Sequence, residues 1–361
     1  MADGTTTTTA AAAPMSKLQT SLSTSSDNLE ALSPNAPSLT SRVIARSSVG
    51  TEFYLYKHQV GGHKPLLRSA PGEVCKPALP LELQFYQGLA STYPQLIPFV
   101  PTYLGTIVVD LHPSSNGSDN VADRTNSDSV ASTKSSSTSN ATRRPSRSMD
   151  HRGVSLILWN KEIVRDQSSF LCEYLVLGDL TQGYTRPCVL DIKMGTRQHG
   201  ADASPAKARS HSVKCAKTTS ATLGFRLCGM QIYQPADGRY VLRDKHWGRL
   251  LQPGDIPPAL HFFLSTGDAL RIDAVEQLAS RLRELQAVIE RTTGIRFWGA
   301  SLLLVYEGDL AVTSTTVRTD VRLIDFANCH HDPSLVTPDD GLLLGLDNLI
   351  AHLDQINADA A

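Results

Sequence analysis

Two hydrophobic patterns divide the chain near Pro187, and together they restrict the fold that it can adopt. Before Pro187 the apolar residues fall mainly in short, strand-like runs, with a single helical pattern between them. After Pro187, strand-like runs alternate with helices, and Asp268–Arg291 has apolar side chains at helical spacing along its whole length. This arrangement predicts an α+β protein with a small, sheet-rich N-lobe that contains one main helix and a larger α+β C-lobe. The predicted helices are Pro80–Thr92, Ser204–Lys217, Asp268–Arg291 and Leu342–Leu353.

Two segments are rich in Ser, Thr and other small residues, and they cannot bury enough apolar surface to offset the entropy lost on ordering. Residues 1–48 are therefore predicted to be a disordered N-terminal tail. A segment at about 112–151 separates two strand candidates, Tyr103–Asp110 and Gly153–Lys161, so we interpret it as an insertion between strands. The predicted boundaries are 49–178 for the N-lobe, with that insertion, and 179–361 for the C-lobe.

The composition restricts the cellular setting and the partners. A net charge of −1 gives no overall positive field for nucleic acid or a membrane surface, so a polyanion site has to be a local patch. The six cysteines form no C-x-x-C pair, and no apolar run approaches the roughly 18 residues of a membrane span. The N-terminus lacks the basic and apolar regions of a secretory signal. We expect a monomeric protein of the cytoplasm, the nucleus or both, with no nucleic-acid partner and no stable membrane insertion.

Three residues could serve an ATP-dependent phosphoryl transfer. Lys76 ends a strand candidate, Glu82 lies at the start of the following helix, and a strand-to-helix turn could pair them. Asp325 follows the apolar run Val321–Ile324, where a carboxylate is costly unless it is paired or binds a metal. Kinases use such a lysine for the ATP phosphates and such an aspartate for Mg²⁺. Taken alone, the same residues could also be two surface charges and a turn aspartate.

Positive charge is concentrated between Pro187 and Arg249. This segment has eleven Lys and Arg against four Asp, an excess of seven positive charges in a nearly neutral chain. A dense cationic surface suits a small, highly phosphorylated ligand because charge-assisted bonds to phosphate are strong. An ordinary solvated helix face could explain the lysines of 204–217, but it explains less well the cluster that follows the strand candidate Cys188–Ile192. That cluster consists of Lys193, Arg197 and His199.

Pro187, Asp191, Lys193 and Gly195 have the spacing P-x-x-x-D-x-K-x-G. This is the signature of the inositol polyphosphate kinase family, which the chain resembles. The resemblance implies a two-lobed, kinase-like fold with an antiparallel sheet in the N-lobe, ATP as the phosphate donor and Mg²⁺ as the metal. Further blocks match in the same order: "HQVGGH" at His58–His63, "VCKP" with "ELQFY" at Val74–Tyr86, "SLLLVYEG" at Ser301–Gly308, "RLIDFAN" at Arg322–Asn328 and "GLLLGLDNLI" at Gly341–Ile350.

The resemblance also implies roles for individual residues. Lys76 would contact the ATP phosphates with Glu82 as its partner, and Asp325 would bind Mg²⁺. The backbone groups of Glu173 and Leu175 would form a hinge that contacts adenine, and Asp191 would bind the ribose hydroxyls. The catalytic set would be Lys76, Lys193 and Asp325, with Lys193 close to the transferred group. The inositol phosphate would be bound by Lys193, Arg197, His199, Lys207, Lys214, Lys217 and Ser301.

Three blocks are similar to the branch of the family that acts on inositol hexakisphosphate: "HQVGGH", "MGTRQHG" at Met194–Gly200 and the stretch Thr219–Gln234. This branch would transfer the ATP γ-phosphate to inositol hexakisphosphate and form a diphosphoinositol phosphate. A multikinase or a trisphosphate 3-kinase acting on ring hydroxyls stays an alternative, as does a non-catalytic inositol-phosphate sensor. An ordinary protein kinase is disfavoured because the H-R-D catalytic loop is absent from the sequence.

Overall fold

The N-terminal part of the structure is an antiparallel sheet that closes into a barrel. The computed structural model describes residues 45–47, 50–62, 64–110, 171–267, 269–311 and 317–361. Six strands form the barrel in the order β1-β2-β3-β4-β6-β5, and β1 pairs back onto β5. These strands are β1 (Ala45–Ser47), β2 (Glu52–Leu55), β3 (Leu67–Arg68), β4 (Glu73–Pro77), β5 (Tyr103–Asp110) and β6 (Leu171–Gly178).

The barrel has a small core of its own. Phe53, Leu67, Cys75, Val109 and Tyr174 pack against one another inside it. Along β5 the side chains alternate between exposed and less exposed positions, which is the period-two pattern of a strand with one solvated face. The predicted tail, the predicted insertion and the strand candidate Gly153–Lys161 lie outside the described residues.

The C-terminal part is built around a five-stranded antiparallel sheet with the order β14-β13-β7-β8-β9. Strand β7 lies in its centre, and seven of its eight residues are buried, which explains why this segment is a nearly continuous apolar run. The strands are, in chain order, β7 (Pro187–Met194), β8 (Phe225–Gln234), β9 (Arg239–Arg243), β10 (Ser265–Thr266), β11 (Ala269–Leu270), β12 (Ile295–Arg296), β13 (Ser301–Glu307), β14 (Thr319–Ile324) and β15 (His330–His331).

Helices cover this sheet and connect it to the barrel. The helix in the N-terminal part begins at Pro80, where a proline at the first turn costs no hydrogen bond. A 3₁₀ helix, Pro94–Phe99, follows it directly. The α-helices are α1 (Pro80–Thr92), α2 (Pro205–Ala216), α3 (Ser220–Leu223), α4 (Lys245–Leu250), α5 (Ile256–Phe263), α6 (Ile272–Glu290) and α7 (Asp340–Ala360).

The α+β fold with a sheet-rich N-terminal part is confirmed, and the sheet in that part closes into a barrel. Helix α1 has the predicted bounds, but α6 begins at Ile272 and not at Asp268, because Ala269–Leu270 pairs with Ser265–Thr266 as a short hairpin. Helix α7 continues to Ala360, beyond the predicted end at Leu353. Helices α3, α4 and α5 were not predicted. Among the described residues, no helix has the length and apolar character needed to cross a membrane.

One large hydrophobic core extends from the C-terminal helices into the N-terminal part. It includes Tyr86 and Leu89 of α1 and Leu175 and Leu177 of β6, together with the buried faces of α5, α6 and α7. All described residues fall in the same compact unit. The division of the chain at 178/179 into two functional lobes stays a prediction.

Candidate active site

Four charged side chains from both parts of the structure meet at one point. Lys76 comes from β4, Glu82 from the first turn of α1, Lys193 from β7, and Asp325 directly follows β14. The Nζ atom of Lys76 lies 2.8 Å from Oε1 of Glu82 and 2.5 Å from Oδ1 of Asp325. The Nζ atom of Lys193 lies 3.6 Å from Oδ2 of Asp325. The ion pair between Lys76 and Glu82 is therefore present as predicted, and both lysines flank the predicted metal ligand.

The turn that carries Asp325 is held from the opposite side by Glu82. Asp325 has a φ of +68°, a left-handed conformation that aspartate adopts more readily than most residues. The next residue, Phe326, donates its N–H to Oε1 of Glu82 at 3.3 Å, and its ring stacks on Phe85 with 3.9 Å between centroids. Glu82 is fully buried. It thus orients both the Lys76 ammonium and the backbone next to Asp325.

The electrostatics of this cluster favour the charged forms of Lys76 and Asp325. Burial alone would raise the pKa of Asp325, but Lys76 and Lys193 outweigh it and hold that pKa well below its ordinary value. Burial likewise opposes the charged form of Lys76, yet Asp325 and Glu82 raise its pKa above the usual range. At neutral pH Asp325 is therefore ionised and Lys76 is protonated, and Lys193 lies next to the second carboxylate oxygen of Asp325.

Asp191, the predicted ribose ligand, lies under a loop of the N-terminal part. Its side chain is only 5% exposed, and burial raises its pKa to about 6. The hydroxyl of the buried Ser301 lies close enough to this carboxylate to oppose that rise, as does Lys193. A Cβ atom on Gly61 would lie 1.7 Å from Oδ2 of Asp191, so only glycine allows the loop to pack this closely.

The loop over Asp191 runs from His58 to Gly62 and also rests on β8. A Cβ atom on Gly229 would lie 2.0 Å from the carbonyl oxygen of Val60, and Nε2 of Gln231 lies 2.8 Å from Nδ1 of His58. This packing gives a physical reason for the glycines in the sequence block "HQVGGH". The contact itself was not predicted, because neither Gly229 nor Gln231 forms a recognisable pattern with that block in the sequence.

The predicted hinge at Glu173 and Leu175 is wrong. Both residues lie inside β6, which pairs with β4 on one side and β5 on the other. The carbonyl oxygen of Glu173 accepts the N–H of Ala78 at 2.9 Å, and Leu175 is fully buried. Their backbone groups face neighbouring strands and are not available to adenine. The chain leaves the barrel only after Gly178, through the connector Asp179–Arg186.

Arg197 holds the backbone of its own loop. Its Nε atom donates to the carbonyl of His199 at 3.1 Å and its Nη2 atom to that of Gly200 at 3.4 Å, while the guanidinium lies 3.5 Å from the ring centroid of Trp298. Arginine stacks favourably on the face of an aromatic ring. Arg197 therefore shapes the segment that leads from β7 to α2, a use of this side chain that was not predicted, and Trp298 was missed altogether.

The other predicted anion ligands surround two histidines. The rings of His199 and His211 pack edge to face with centroids 6.5 Å apart, and Lys207, Lys214 and Lys217 are exposed on α2 or at its end. Burial lowers the pKa of both histidines, and Lys207 lowers it further in each case. Both imidazoles are thus biased toward the neutral form in a cationic surrounding.

A cavity of about 420 Å³ lies between α1 and β15, but it is not a phosphate site. Its walls include Leu81, Phe85, Tyr93 and His330, and they contain the acid Asp202 but neither Lys nor Arg. A polyanion needs cationic or N–H donors. The centre at Lys76, Lys193 and Asp325 is therefore the better candidate for phosphate chemistry.

The oxygen atoms near this centre fit a hard divalent cation. Asp325 supplies a carboxylate, and the buried carboxylate of Asp191 lies close enough for the charge of Asp325 to raise its pKa. Mg²⁺ is typically bound by one or two carboxylates together with substrate phosphates and water. In the parts of the chain that the structure describes, no group of three His, Cys, Asp or Glu side chains forms a complete metal site.

The sequence and the fold of this chain are similar to those of known proteins. The inositol hexakisphosphate kinase 1 of Rattus norvegicus is 30% identical over 83% of this chain and 92% of its own length, and the inositol hexakisphosphate kinase 3 of Mus musculus is 31% identical over 85% and 96%. An inositol phosphate multikinase from S. cerevisiae, solved with ADP and Mn²⁺, has the same fold, with a TM-score of 0.56 and 22% identity over 79% of this chain and 99% of its own. The pattern of the inositol polyphosphate kinase family matches residues 174–354. The chain belongs to the inositol polyphosphate kinase family.

Proposed function

We propose that this protein transfers the γ-phosphate of ATP to inositol hexakisphosphate and produces a diphosphoinositol phosphate. Relatives named for this substrate match the chain over more than nine-tenths of their own length. The proposal also agrees with the two sequence blocks "HQVGGH" and "MGTRQHG", which are similar to the hexakisphosphate branch.

The single observation that carries the kinase chemistry is the meeting of Lys76, Lys193 and Asp325. Phosphoryl transfer goes through a loose transition state, so the protein contributes positioning and charge neutralisation and little covalent chemistry. Lys76 comes from the barrel, whereas Lys193 and Asp325 come from the C-terminal sheet. Phosphates bound at this point would contact cationic groups from both parts of the molecule.

The donor and the metal in this proposal are ATP and Mg²⁺. Asp325 would hold the cation, Asp191 would bind the ribose hydroxyls, and Ser301 would contact the acceptor. When bound, the cation supplies positive charge to the phosphate oxygens. The connector Asp179–Arg186 would be the hinge that contacts adenine, in place of Glu173 and Leu175. It is the segment that joins the barrel to the five-stranded sheet.

The acceptor would lie on the side of α2. Lys193 faces Asp325 from this side, and its Nζ atom also donates to the carbonyl of Gly299 at 2.5 Å. Lys207 and Lys214 add exposed positive charge, and Lys207 lies close enough to His199 and His211 to lower the pKa of both. A phosphate oxygen of the acceptor is already ionised at neutral pH, so transfer to it requires no general base.

Product analysis with purified protein tests the proposal. With ATP and Mg²⁺, inositol hexakisphosphate as the sole acceptor should give a diphosphoinositol phosphate, whereas inositol 1,4,5-trisphosphate should be a poor acceptor. Preferential phosphorylation of the trisphosphate would instead identify a kinase acting on ring hydroxyls. Tight binding of inositol hexakisphosphate without ATP consumption would identify a sensor and refute the kinase proposal.

A further inference from the structure

The connector Asp179–Arg186 is tied to the five-stranded sheet by the carboxylate of Glu307. Glu307 ends β13 and is only 4% exposed. Its Oε2 atom accepts the N–H of Thr185 at 2.7 Å, and its Oε1 atom accepts the N–H groups of Arg186 at 2.8 Å and Asp309 at 2.9 Å. These three N–H donors replace the hydrogen bonds to water that the carboxylate loses when it is buried.

The Glu307 carboxylate binds backbone N–H groups of the connector and forms no ion pair with a described residue. Among the described residues, no cationic side chain lies within ion-pairing distance of the Glu307 carboxylate, and Arg271 donates to the backbone carbonyl of Glu307 at 2.8 Å. The next residue, Gly308, donates its N–H to the carbonyl of Arg186 at 2.9 Å. Arg186 is therefore fixed through both its N–H and its carbonyl group. A buried charge held only by the backbone of the connector and of one adjacent turn indicates a positioning role.

The barrel end of the connector is fixed in a similar way by Asp179. Its Oδ1 atom accepts the hydroxyl of Tyr56 at 2.7 Å and both the N–H and the hydroxyl of Thr181 at 2.8 Å. The N–H of Asp179 donates to the carbonyl of Gly72 at 2.9 Å. The connector is therefore hydrogen-bonded to the barrel at its first residue and to the sheet at its last two.

We propose that Glu307 is a positioning residue for the nucleotide: it fixes the sheet end of the connector, and so sets the backbone groups that receive adenine. The inference rests on the proposed function, because it takes ATP to bind where the connector joins the two parts. A loosened connector must be ordered when the nucleotide binds, and this entropic cost weakens nucleotide binding more than acceptor binding.

Replacement of the carboxylate by an amide tests the inference. Glu307→Gln keeps the size of the side chain but turns one acceptor into a donor that faces a backbone N–H. A bond to a charged group lost in this way corresponds to about a tenfold change in an equilibrium constant. We expect the Kd for a fluorescent ADP analogue and the KM for ATP to rise by about tenfold, while the KM for inositol hexakisphosphate changes less than about twofold. Amide hydrogen exchange at Thr185 and Arg186 should accelerate.

The control is Glu284→Gln on α6, which removes an exposed carboxylate that pairs with Arg281. It should change none of these quantities. Should Glu307→Gln fail to fold, Glu307→Asp retains the charge but is too short to reach both Thr185 and Arg186, and it should show the same selective loss.

Three outcomes would overturn the inference. The first is an unchanged Kd for the ADP analogue in a folded but less stable variant, which is what a purely structural role predicts. The second is an equal rise in both KM values. The third is absence of nucleotide binding by the unaltered protein, and this result also refutes the proposed function, whereas the first two leave it intact.

Discussion

At the scale of single residues, substitution of Asp325 tests directly whether its carboxylate is needed for phosphoryl transfer. Asparagine tolerates the left-handed backbone at this position, so Asp325→Asn removes the charge without straining the turn. The variant loses the carboxylate that balances Lys76 and Lys193 and that would hold the metal. We expect kcat to fall at least about a hundredfold while circular dichroism shows an intact fold. Lys193→Ala should have a comparable effect.

The matched control for Asp325→Asn is Asp354→Asn, which removes an exposed carboxylate that pairs with Arg283 on the surface. Exposed ion pairs contribute little to stability, so the control should keep full activity. Near-normal turnover by purified Asp325→Asn protein would refute the assignment of Asp325.

We expect the affinity for the acceptor to depend on pH because of His199 and His211. Burial lowers the pKa of both rings, and the charged groups around them are Arg197, Lys207, Lys214 and Arg226, all cationic. The histidines are therefore neutral in the free protein near pH 7. A bound polyanion stabilises the imidazolium form, so binding takes up protons and the affinity for inositol hexakisphosphate rises as the pH falls from 8 toward about 6.5.

Calorimetric titrations in buffers of different ionisation heat measure this proton uptake directly. The acceptor's own phosphates also titrate, and the double variant His199→Gln, His211→Gln provides the baseline for that contribution. The uptake should be smaller in the double variant. Equal uptake by both proteins would exclude the histidines as the proton acceptors.

At the scale of elements, the loop His58–Gly62 depends on a close approach that only glycine permits. In Gly61→Ala, the added methyl group would collide with the buried carboxylate of Asp191. Such overpacking typically costs about 1–3 kcal/mol, and urea denaturation should show a loss in that range. Gly254→Ala is the control because its Cβ atom would meet open space. Equal stability of the two variants would contradict the tight packing of the loop.

The sequence predicted elements that have a local pattern and missed those that depend on distant partners. The strand candidates Tyr103–Asp110 and Cys188–Ile192 agree with β5 and β7 to within two residues at each end, because strands leave local apolar patterns in the sequence. The hinge was misplaced because the apolar residues Tyr174–Leu177 continue β6 beyond Glu173, and the strand leaves the barrel only after Gly178. Contacts between distant side chains were missed for a similar reason. Arg197 and Trp298 are far apart in the sequence, and no local pattern indicates that they stack.

At the scale of the whole molecule, the large core crosses the predicted lobe boundary at 178/179. The 3₁₀ helix Pro94–Phe99 packs on α6, where the Arg281 guanidinium lies 4.0 Å from the centroid of the Phe99 ring. Tyr93 donates its hydroxyl to the carbonyl of Gly294 at 3.0 Å, and Arg322 donates to the carbonyl of Val100 at 3.0 Å. The N-terminal helices thus complete the core of the C-terminal part.

This shared core predicts that the two parts unfold together. Heating of the full chain should give one calorimetric transition, with a ratio of calorimetric to van't Hoff enthalpy of about one. A fragment of residues 179–361 would expose the apolar surface that α1 and the 3₁₀ helix cover, so it should be aggregated or lack a cooperative transition. Two resolved transitions in the full chain, or a soluble fragment that unfolds cooperatively, would show instead that the barrel and the sheet are independent folding units joined by the connector.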